Sequence, residues 1–393
     1  MTESRAQSGA LSGTESADRS GDRSRALSVV LAGGGTAGHV SPLLATAEAL
    51  LRRDPGTRIT VLGTAEGLES RLVPAAGYEL RVLPRVPLPR SPSADLLRVP
   101  GRLAGAVAAA RAVLAEVSAD VVVGFGGYVA TPAYLAARRS HVPVVVHEQN
   151  ALPGIANRVG ARLTPWVATT FDSTPLRGAR RVGLPLRSAV ATLDREALRP
   201  QAREHFGLRP DLLTLLVTGG SLGAQRLNDV LPAVAADLAA AGVQVLHVSG
   251  RGKQVLAPEP VAGPSDLVVP YVVLPYVDRM DLAYAACDAV LCRAGAGTVC
   301  ELSALGIPAA YVPLPIGNGE QRRNVEPLVA AGGGLLVADA ELTPTWVRSS
   351  LLPLLRDPVA LAAMAASARA HGVLDAADRL ADLVVRAATG ETP

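Results

Sequence analysis

Residues 27–32 (LSVVLA) run directly into residues 33–39 (GGGTAGH), and residues 212–218 (LLTLLVT) run into residues 219–225 (GGSLGAQ). In each case an apolar run is followed by clustered glycines and then by a helical pattern. This order is typical of the entry to a βα unit, where bare backbone N–H groups and a helix N-terminus can hold an anion. Because the loops lie about half a chain apart, they predict two nucleotide-binding-type domains that face each other across a cleft.

The pattern around both loops predicts parallel sheets. Short runs rich in Val, Ile and Leu alternate with longer helical patterns rich in Ala and Leu, which is typical of strands buried on both faces. The predicted strands of the first half are residues 27–32, 58–62, 79–82, 120–123, 142–146 and 166–168. Those of the second half are residues 212–218, 243–248, 267–270, 289–292, 309–312 and 334–337. Each half is therefore predicted to be a doubly wound α/β domain.

A chain of 393 residues suits two domains of ordinary size. We expect the boundary near residues 183–188 (GLPLRS), with a first domain over 27–184 and a second over 185–360. Residues 361–393 are predicted to be helical, with a break near 371–372, and could pack back on the first domain. Residues 1–26 are polar and lack the apolar segment of a signal peptide, so we expect a disordered tail.

Charge, cysteine content and hydropathy argue against a nucleic-acid-binding protein, a zinc protein and a transmembrane protein. The net charge of +3 is too small to indicate a nucleic-acid partner. The spacing of Cys287, Cys292 and Cys300 fits no CxxC pattern, and three thiols favour a reducing compartment and core packing over a zinc site. No apolar run is long enough for a transmembrane helix. We therefore expect a soluble cytoplasmic chain that could still touch a membrane surface.

The first glycine loop does not indicate a simple dehydrogenase. Gly33, Gly35 and Gly38 satisfy G-x-G-x-x-G, but an NAD site also needs an acidic residue at the end of the second strand. The predicted strand 58–62 ends in Gly-Thr, and strand 243–248 ends in Ser-Gly. Either loop alone could be a tight turn, although this is less expected of both together.

Two further motifs follow predicted strands, at the edge where a cleft should form. The glycines of residues 124–128 (GFGGY) could let the backbone approach an acceptor, or could simply make a flexible turn. Residues 147–150 (HEQN) could bond sugar hydroxyls, or could form a satisfied turn at the end of a strand. They are not a zinc-binding HExxH motif, because Ala151 stands where the second histidine would be.

Residues 292–301 (CRAGAGTVCE) are the most informative of these stretches. The spacing of Thr298 and Glu301 predicts a capping box that opens a helix. The same geometry offers free N–H groups to a diphosphate and a carboxylate to a ribose. Arg187 at the predicted hinge could pair with a phosphate, and Gln321 could bond a sugar. Each could also be an ordinary surface or helix-start residue.

Taken in order, residues 33–39, 124–128, 147–150, 219–225, 292–301 and 320–324 (EQRRN) resemble the glycosyltransferase family that converts lipid I into lipid II in peptidoglycan synthesis. The resemblance implies a GT-B fold of two Rossmann-like domains. It also implies inverting transfer of GlcNAc from UDP-GlcNAc to the C4 hydroxyl of the MurNAc unit of lipid I. The sequence contains no Asp-x-Asp motif, so we expect neither a metal nor another cofactor.

The resemblance also implies roles for individual residues. His39 would be the general base for the acceptor hydroxyl, or would instead bind the acceptor diphosphate. Thr36, Ala37 and Gly38 would line the junction of donor and acceptor, and Gly126, Gly127 and Tyr128 would contact the acceptor. The remaining donor-site residues would be Asn150, Arg187, Ser221, Val277, Ala296, Gly297, Thr298, Val299, Cys300, Glu301 and Gln321. Within this set, Asn150 and Gln321 would hold GlcNAc, Glu301 the ribose, and Ser221 and the start of the Thr298 helix the phosphates.

A lipid-linked acceptor implies work at the cytoplasmic face of the cell membrane, as a peripheral protein. The predicted contact segment is apolar and cationic. It comprises residues 86–90 (VPLPR), Leu96, Leu97, Arg98, Val99, Arg102 and Leu103. A loop followed by an amphipathic core helix is the alternative interpretation.

Two other functions remain open from the residues alone. A non-hydrolysing UDP-GlcNAc 2-epimerase also uses two Rossmann-like domains and would need no acceptor. A regulator that binds a nucleotide sugar without catalysis would share the same cleft. Incubation with UDP-GlcNAc, with and without a lipid I analogue, separates the three.

Overall fold

The computed structural model describes residues 25–86, 98–220, 223–259, 261–262 and 267–392. The predicted disordered tail lies outside these ranges except for its last two positions. Ser221 and residues 87–97 of the predicted membrane segment also lie outside them. Within the described ranges the chain forms two large parallel sheets, one in each half.

The first sheet is doubly wound. Its strands are β1 (Ser28–Gly33), β2 (Arg58–Gly63), β3 (Glu79–Val82), β4 (Val121–Gly126), β5 (Val144–Glu148), β6 (Trp166–Thr169) and β7 (Arg180–Arg181). They lie in the order β3-β2-β1-β4-β5-β6-β7, and neighbours pair in parallel. All but the short edge strand β7 are predicted from the sequence, with ends that differ by a few residues.

Helices cover both faces of this sheet. They are α1 (Ala37–Arg53), α2 (Glu69–Ala75), α3 (Val99–Glu116), α4 (Ala130–Arg139) and α5 (Ile155–Gly160). Alternate residues of β1 point to opposite faces, as the strand period of two requires. Val29 and Leu31 pack with α1 in one core, and Val30 packs with α3 and α4 in the other.

The second sheet has the same architecture. Its strands are β8 (Leu213–Thr218), β9 (Val243–Val248), β12 (Tyr271–Leu274), β13 (Ala289–Cys292), β14 (Ala309–Tyr311) and β15 (Leu335–Leu336), and a separate antiparallel pair is formed by β10 (Val261–Ala262) and β11 (Val268–Val269). The parallel sheet has the order β12-β9-β8-β13-β14-β15. The two sheets confirm the predicted fold class of two Rossmann-like domains.

One predicted strand is wrong. Residues 267–270 were expected to belong to the second parallel sheet, but Val268 and Val269 pair with β10 instead. The sheet strand is the next run, β12, which pairs with β9. Pro270 separates the two, and because it has no N–H it cannot donate to a sheet ladder.

The helices of the second half are α6 (Ser188–Ala191), α7 (Arg195–His205), α8 (Gln225–Val230), α9 (Ala235–Ala240), α10 (Met280–Ala286), α11 (Ala296–Leu305), α12 (Glu320–Ala330), α13 (Pro344–Trp346), α14 (Leu352–Leu355), α15 (Pro358–His371) and α16 (Ala376–Ala388). The core on one face of the sheet draws on α7, α10 and α11. The core on the other face draws on α8, α9 and the π-helix Val347–Leu351.

The last helix leaves the second half and packs on the first. Leu380, Ala381 and Val384 of α16 belong to the same buried cluster as β1 and α1. The two connections between the halves lie side by side. Gly183 follows β7 and Val373 precedes α16, and a Cβ on Gly183 would lie 2.8 Å from Val373 Cβ. The chain therefore passes between the two halves twice.

Within the described residues, no single helix combines the length and apolar composition needed to cross a bilayer. One helix pair, Pro344–Leu355 with Pro358–Ala388, meets both criteria together but is bent by 86°. The three cysteines carry free thiols, and Cys287 and Cys292 are buried. Burial raises the pKa of the Cys287 thiol to about 11, in keeping with the predicted core role.

Candidate functional site

The first glycine loop joins β1 to α1 at the carboxyl edge of the first sheet. Gly33 is the last residue of β1, and Thr36 is the N-cap of α1. Gly35 has a φ of +87°, a left-handed conformation that glycine adopts without steric cost. Thr36 and Gly38 are exposed and Ala37 is half-buried, so this predicted junction borders open space.

His39 is half-buried in the first turn of α1. Its Nδ1 lies 3.0 Å from Gly34 O and 3.2 Å from Thr36 Oγ1. A carbonyl oxygen only accepts hydrogen bonds, so Nδ1 carries the proton and Nε2 keeps its lone pair. Among the described residues, Nε2 has no hydrogen-bond partner.

The charge state of His39 also suits a base. Burial lowers the pKa of His39 below its usual value, although the Gly34 hydrogen bond and the charges of Glu320 and Glu69 act in the opposite direction. The imidazole is therefore neutral at neutral pH. Glu320 begins α12 of the second half, and its charge lies close enough to His39 to influence the ionisation of the imidazole.

The end of β4 and the first residue after it lie against His39 and the first glycine loop. Gly126 and Gly127 have φ values of +96° and +79°. A Cβ at Gly126 would lie 3.1 Å from His39 Nε2, and one at Gly127 would lie 2.6 Å from Gly34 O. Tyr128 is 43% exposed, and the Arg85 guanidinium lies 5.0 Å from the centre of its ring. Gly126 thus lies beside the predicted base, and Gly127 lies beside the Gly34 carbonyl that holds it.

Residues 147–149 are buried at the end of β5, and their side chains form several hydrogen bonds, although Gln149 Oε1 has no partner among the described residues. His147 Nε2 donates to Gly183 O at 2.9 Å, and Gln149 Nε2 donates to His147 O at 2.9 Å. The Glu148 carboxylate accepts from Asn150 N, Gly154 N and Asn157 Nδ2 at 2.9, 3.0 and 2.9 Å. Of the two interpretations left open for this motif, the structure favours the strand-end turn for these three residues.

Asn150 has a different environment, because it contacts the second half of the chain. Its Oδ1 accepts from Asn324 Nδ2 at 3.2 Å, and the next backbone N–H, that of Ala151, donates to Asn324 Oδ1 at 2.9 Å. Asn324 is 1% exposed and lies on α12. This contact was not predicted, although Asn324 belongs to the EQRRN motif.

The second glycine loop joins β8 to α8, and Ser221, its predicted phosphate ligand, lies outside the described residues. A Cβ at Gly223 would lie 2.0 Å from Ser249 O, so this loop and the loop after β9 are in contact. Beneath them, His247 Nε2 donates to Asn228 Oδ1 at 3.0 Å, and its Nδ1 accepts from Tyr271 OH at 2.9 Å.

The start of α11 corrects the predicted capping box. The helix begins at Ala296 with Gly295 as its N-cap, and no side chain caps it. Thr298 is the third helical residue, so Thr298 and Glu301 do not have capping-box positions. The first N–H groups of the helix, from Ala296 to Thr298, have no intrahelical acceptor and remain available to an anion.

Glu301 is held by a neighbouring tyrosine. Its Oε2 accepts from Tyr284 OH at 2.6 Å. Burial raises the pKa of Glu301, while the Tyr284 hydrogen bond and the charge of Arg187 act against that rise. Arg187, the exposed N-cap of α6, therefore lies close enough to Glu301 to influence its ionisation.

The other predicted donor residues divide into buried and accessible groups. Val277 and Val299 are 8% and 3% exposed and belong to the core of the second half, so their side chains are largely closed to a ligand. Gly297 and Cys300 are half-buried on α11. Gln321 lies at the start of α12, where its Oε1 accepts from Leu314 N at 3.0 Å.

Sequence reasoning missed Glu69. This glutamate begins α2 and is 1% exposed, and its carboxylate accepts from Gly35 N at 2.8 Å. The end of β2 carries only Gly63 and Thr64, but Glu69 reaches back to the first glycine loop from the helix that follows. The feature of the sequence that could have pointed to Glu69 is its position soon after two glycines, in residues 63–69 (GTAEGLE).

In the described part of the chain, no three His, Cys, Asp or Glu side chains come together in a way that could hold a metal ion. The groups that could stabilise an anion are instead the helix N-termini and Arg187. Such fixed donors at a cleft are suited to a diphosphate.

Comparison with known families agrees with this geometry. A sequence model of the glycosyltransferase family 28 N-terminal domain matches residues 29–169, and one of the C-terminal domain of the same family matches residues 214–380. The crystal structure of Acinetobacter baumannii MurG has a TM-score of 0.73 at 30% identity, covering 92% of this chain and 99% of that one. UDP-GlcNAc 2-epimerase from Neisseria meningitidis bound to UDP-GlcNAc has a TM-score of 0.64 at 13% identity, covering 92% and 100%, which shows a shared fold alone.

Relatives of known name are much closer in sequence. The UDP-N-acetylglucosamine--N-acetylmuramyl-(pentapeptide) pyrophosphoryl-undecaprenol N-acetylglucosamine transferase of Streptomyces avermitilis is 57% identical over 361 residues, which cover 92% of this chain and 98% of the relative. The transferase of the same name from Mycobacterium ulcerans is 57% identical over 363 residues, which cover 91% and 90%. With such identity along nearly the whole described chain and both domain models matched, the chain belongs to the family of UDP-N-acetylglucosamine--N-acetylmuramyl-(pentapeptide) pyrophosphoryl-undecaprenol N-acetylglucosamine transferases.

Proposed function

We propose that this protein transfers GlcNAc from UDP-GlcNAc to the C4 hydroxyl of the MurNAc unit of lipid I, and so forms lipid II. The observation that carries the proposal is the position of His39. Its neutral imidazole has an Nε2 with no hydrogen-bond partner among the described residues, next to Gly126 at the end of β4, and the charge of Glu320 at the start of α12 influences it from the other half. A base in that position can take the proton of a hydroxyl that attacks a sugar held by the second half.

The reaction proceeds as a single displacement. His39 Nε2 accepts the proton of the acceptor hydroxyl while the hydroxyl oxygen forms a bond to the anomeric carbon of GlcNAc. The bond from that carbon to the diphosphate oxygen breaks on the opposite face, and UDP leaves with the electron pair. Attack opposite to the leaving group inverts the anomeric centre and gives a β-1,4 link.

The leaving diphosphate gains charge, and its stabilisation falls to fixed donors of the second half. We assign this role to the free N–H groups at the start of α11 and to Arg187, which are positioned before the reaction begins. Glu301 receives the ribose hydroxyls, with Tyr284 fixing its carboxylate. Asn150 and Gln321 orient GlcNAc from opposite sides of the cleft.

The test compares UDP release from UDP-GlcNAc with and without a lipid I analogue. Acceptor-dependent UDP release supports transfer, ManNAc formed without acceptor indicates an epimerase, and saturable binding without product indicates a regulator. His39→Ala is expected to lower kcat by about 10²- to 10⁴-fold, the range of general-base catalysis. The exposed His205 offers a matched control, since His205→Ala removes an imidazole at the surface of α7. Near-normal kcat in His39→Ala would contradict the base role.

We further propose that the protein works as a peripheral protein on the cytoplasmic face of the membrane. The support is the apolar and cationic sequence of residues 86–103, together with an acceptor that is itself a lipid. Vesicle flotation tests it with anionic and neutral vesicles. Stronger binding to anionic vesicles, weakened by replacing Arg90, Arg98 and Arg102 together, is expected. Equal binding to both vesicle types would rule out the electrostatic contribution.

A further inference from the structure

Glu69 is a buried carboxylate for which the proposed reaction has no role. It is 1% exposed at the start of α2, whereas Glu66, three residues earlier, has 72% of its side chain exposed. A charged group is rarely buried unless several donors compensate for its lost hydration. The donors around Glu69 therefore indicate what it does.

Three hydrogen bonds reach the Glu69 carboxylate. Gly35 N donates to Oε2 at 2.8 Å, and Thr64 N and Thr64 Oγ1 donate to Oε1 at 2.9 and 2.7 Å. A Cβ at Gly34 would lie 2.3 Å from Oε1, and one at Gly67 would lie 2.0 Å from Oε2. Glycine at both positions is therefore required for the carboxylate to fit between β1 and β2.

The carboxylate stays ionised in this position. Burial alone would raise the pKa of Glu69, but the hydrogen bonds from Gly35 and Thr64 outweigh it and hold the pKa below its usual value. An ionised acceptor forms hydrogen bonds about twice as strong as a neutral one. The contact to Gly35 N–H is thus a strong restraint on the loop.

The restrained N–H belongs to the same peptide group as the carbonyl that holds the base. The amide of Gly35 and the carbonyl of Gly34 form one planar unit, with N–H and C=O pointing in opposite directions. Glu69 binds the N–H side at 2.8 Å, and His39 Nδ1 binds the C=O side at 3.0 Å. Because both residues are glycine, no side chain opposes rotation of this peptide plane.

We propose that Glu69 is a positioning residue that locks the Gly34–Gly35 peptide plane and thereby keeps the proton of His39 on Nδ1. If the plane rotated, an N–H would replace the carbonyl next to Nδ1, which would then lose its closer acceptor and face a donor instead. The proton would move to Nε2, the nitrogen that the proposed reaction needs as its acceptor. Glu69 touches neither substrate and acts only through this peptide.

The direct test is the tautomer of His39, measured by ¹⁵N NMR on histidine-labelled protein and assigned through the loss of its signals in His39→Gln. Wild-type protein is expected to show Nδ1–H. Glu69→Gln keeps the side-chain size but cannot accept from all three donors, so a substantial fraction of Nε2–H is expected. Glu79→Gln, the same change on the edge strand β3, serves as the matched control and should leave the tautomer unchanged.

The catalytic consequence rests on the proposed function and has its own measurement. In Glu69→Gln, kcat is expected to fall by about 10- to 100-fold, a part of the general-base contribution, with less than about a twofold change in KM for UDP-GlcNAc. The acidic limb of the kcat profile should move to lower pH. This direction follows because Glu69, from α2, and Glu320, from α12, both raise the His39 pKa, and the variant removes one of these charges.

The possible outcomes distinguish a failure of the positioning role of Glu69 from a failure of the proposed GlcNAc transfer. An unchanged His39 tautomer in Glu69→Gln overturns the positioning role, whatever the rate. If Glu69→Gln changes the His39 tautomer but the wild-type protein transfers no GlcNAc, the proposed function is overturned and the positioning role is supported. If Glu69→Gln does not fold, Glu69→Asp decides, because the shorter carboxylate cannot span Gly35 and Thr64 together. It should show a smaller shift in the same direction, and no shift would overturn the proposal.

Discussion

At the scale of single residues, the site depends on where side chains are missing as much as on where they are present. Gly126 has a φ of +96°, and a Cβ at this position would lie 3.1 Å from His39 Nε2. Any side chain there would strain the backbone and cover the nitrogen that the proposed base uses. Glycine at this position keeps the base open to an acceptor.

Gly126→Ala is therefore expected to lower kcat by at least about tenfold, because the methyl group contacts Nε2 and the left-handed backbone costs about 1–2 kcal/mol. UDP-GlcNAc binding, measured by calorimetry, should be retained. Gly105→Ala is the matched control, since a Cβ there meets no atom within 4 Å and the residue lies in α3. That control should leave kcat unchanged and raise stability by about 0.5–1 kcal/mol. Equal kcat in both variants would contradict the prediction.

The site residues that could be predicted were those marked by a pattern within one short stretch of sequence. His39 and its glycine loop follow a strand, and that pattern is visible in one stretch of sequence. Glu69 and Asn324 contact residues far away in the chain, so only the folded structure brings them to the site. The Thr298–Glu301 spacing failed for a different reason: it occurs within a helix as easily as at its start, and here Gly295 had already begun the helix.

At the scale of elements, α16 follows the second half in the chain but packs in the core of the first. Its apolar side lies against α1 and the first sheet, and Leu380 at its centre is fully buried. On its outer side, Arg379 pairs with Asp375 one turn earlier and is 52% exposed. The helix therefore belongs to the core of a domain from which it is far removed in sequence.

Leu380→Ala is expected to destabilise the first half by about 2–5 kcal/mol, through lost burial and the cavity left behind. Trp166 reports on this half, since it lies in β6 and packs in the same cluster. Urea unfolding followed by Trp166 fluorescence in a Trp346→Phe background isolates the effect. Arg379→Ala should change the midpoint little, because an exposed ion pair contributes about 1 kcal/mol or less. A similar small effect of Leu380→Ala would show that α16 is not part of this core.

Strands were predicted correctly where a short apolar run has clear limits in the sequence, and wrongly where it does not. Residues 243–248 (VQVLHV) and 289–292 (AVLC) are short runs rich in apolar residues, and the structure has strands with the same limits. Residues 267–274 form one nearly continuous apolar run, in which the sequence gives no indication of which part joins the sheet. Pairing with β9 decides in favour of β12, and only the folded chain supplies that partner.

At the scale of the whole molecule, each half contains one fully buried histidine held in its neutral form. His147 donates from Nε2 to Gly183 O and accepts at Nδ1 from Gln149. His247 donates to Asn228 and accepts from Tyr271. Burial lowers the pKa of each to about 4 from an ordinary value of 6.5. Among the described residues, no carboxylate forms a hydrogen bond with either ring.

Both halves should therefore lose stability in mild acid. Below pH 6.5 these histidines bind protons in the unfolded chain, whereas in the folded chain they stay neutral down to about pH 4. Stability consequently falls as the pH decreases, by about 2 kcal/mol for each histidine between pH 7 and pH 5. Urea unfolding at the two pH values, followed at Trp166 for the first half and Trp346 for the second, measures it. His205→Ala, at an exposed site, should leave the difference unchanged, and equal stability at both pH values would contradict the prediction.

The return of α16 to the first sheet has a consequence for folding during synthesis. The strands and helices of the first half leave the ribosome early, yet one of their two cores is closed by Leu380, Ala381 and Val384. Until residues 376–388 have been made, β1 and α1 present an uncovered apolar face, while the second half can already bury its own. The half synthesised first is thus the half that finishes folding last, and a chaperone that shields apolar surface would be needed longest at the face that α16 finally covers.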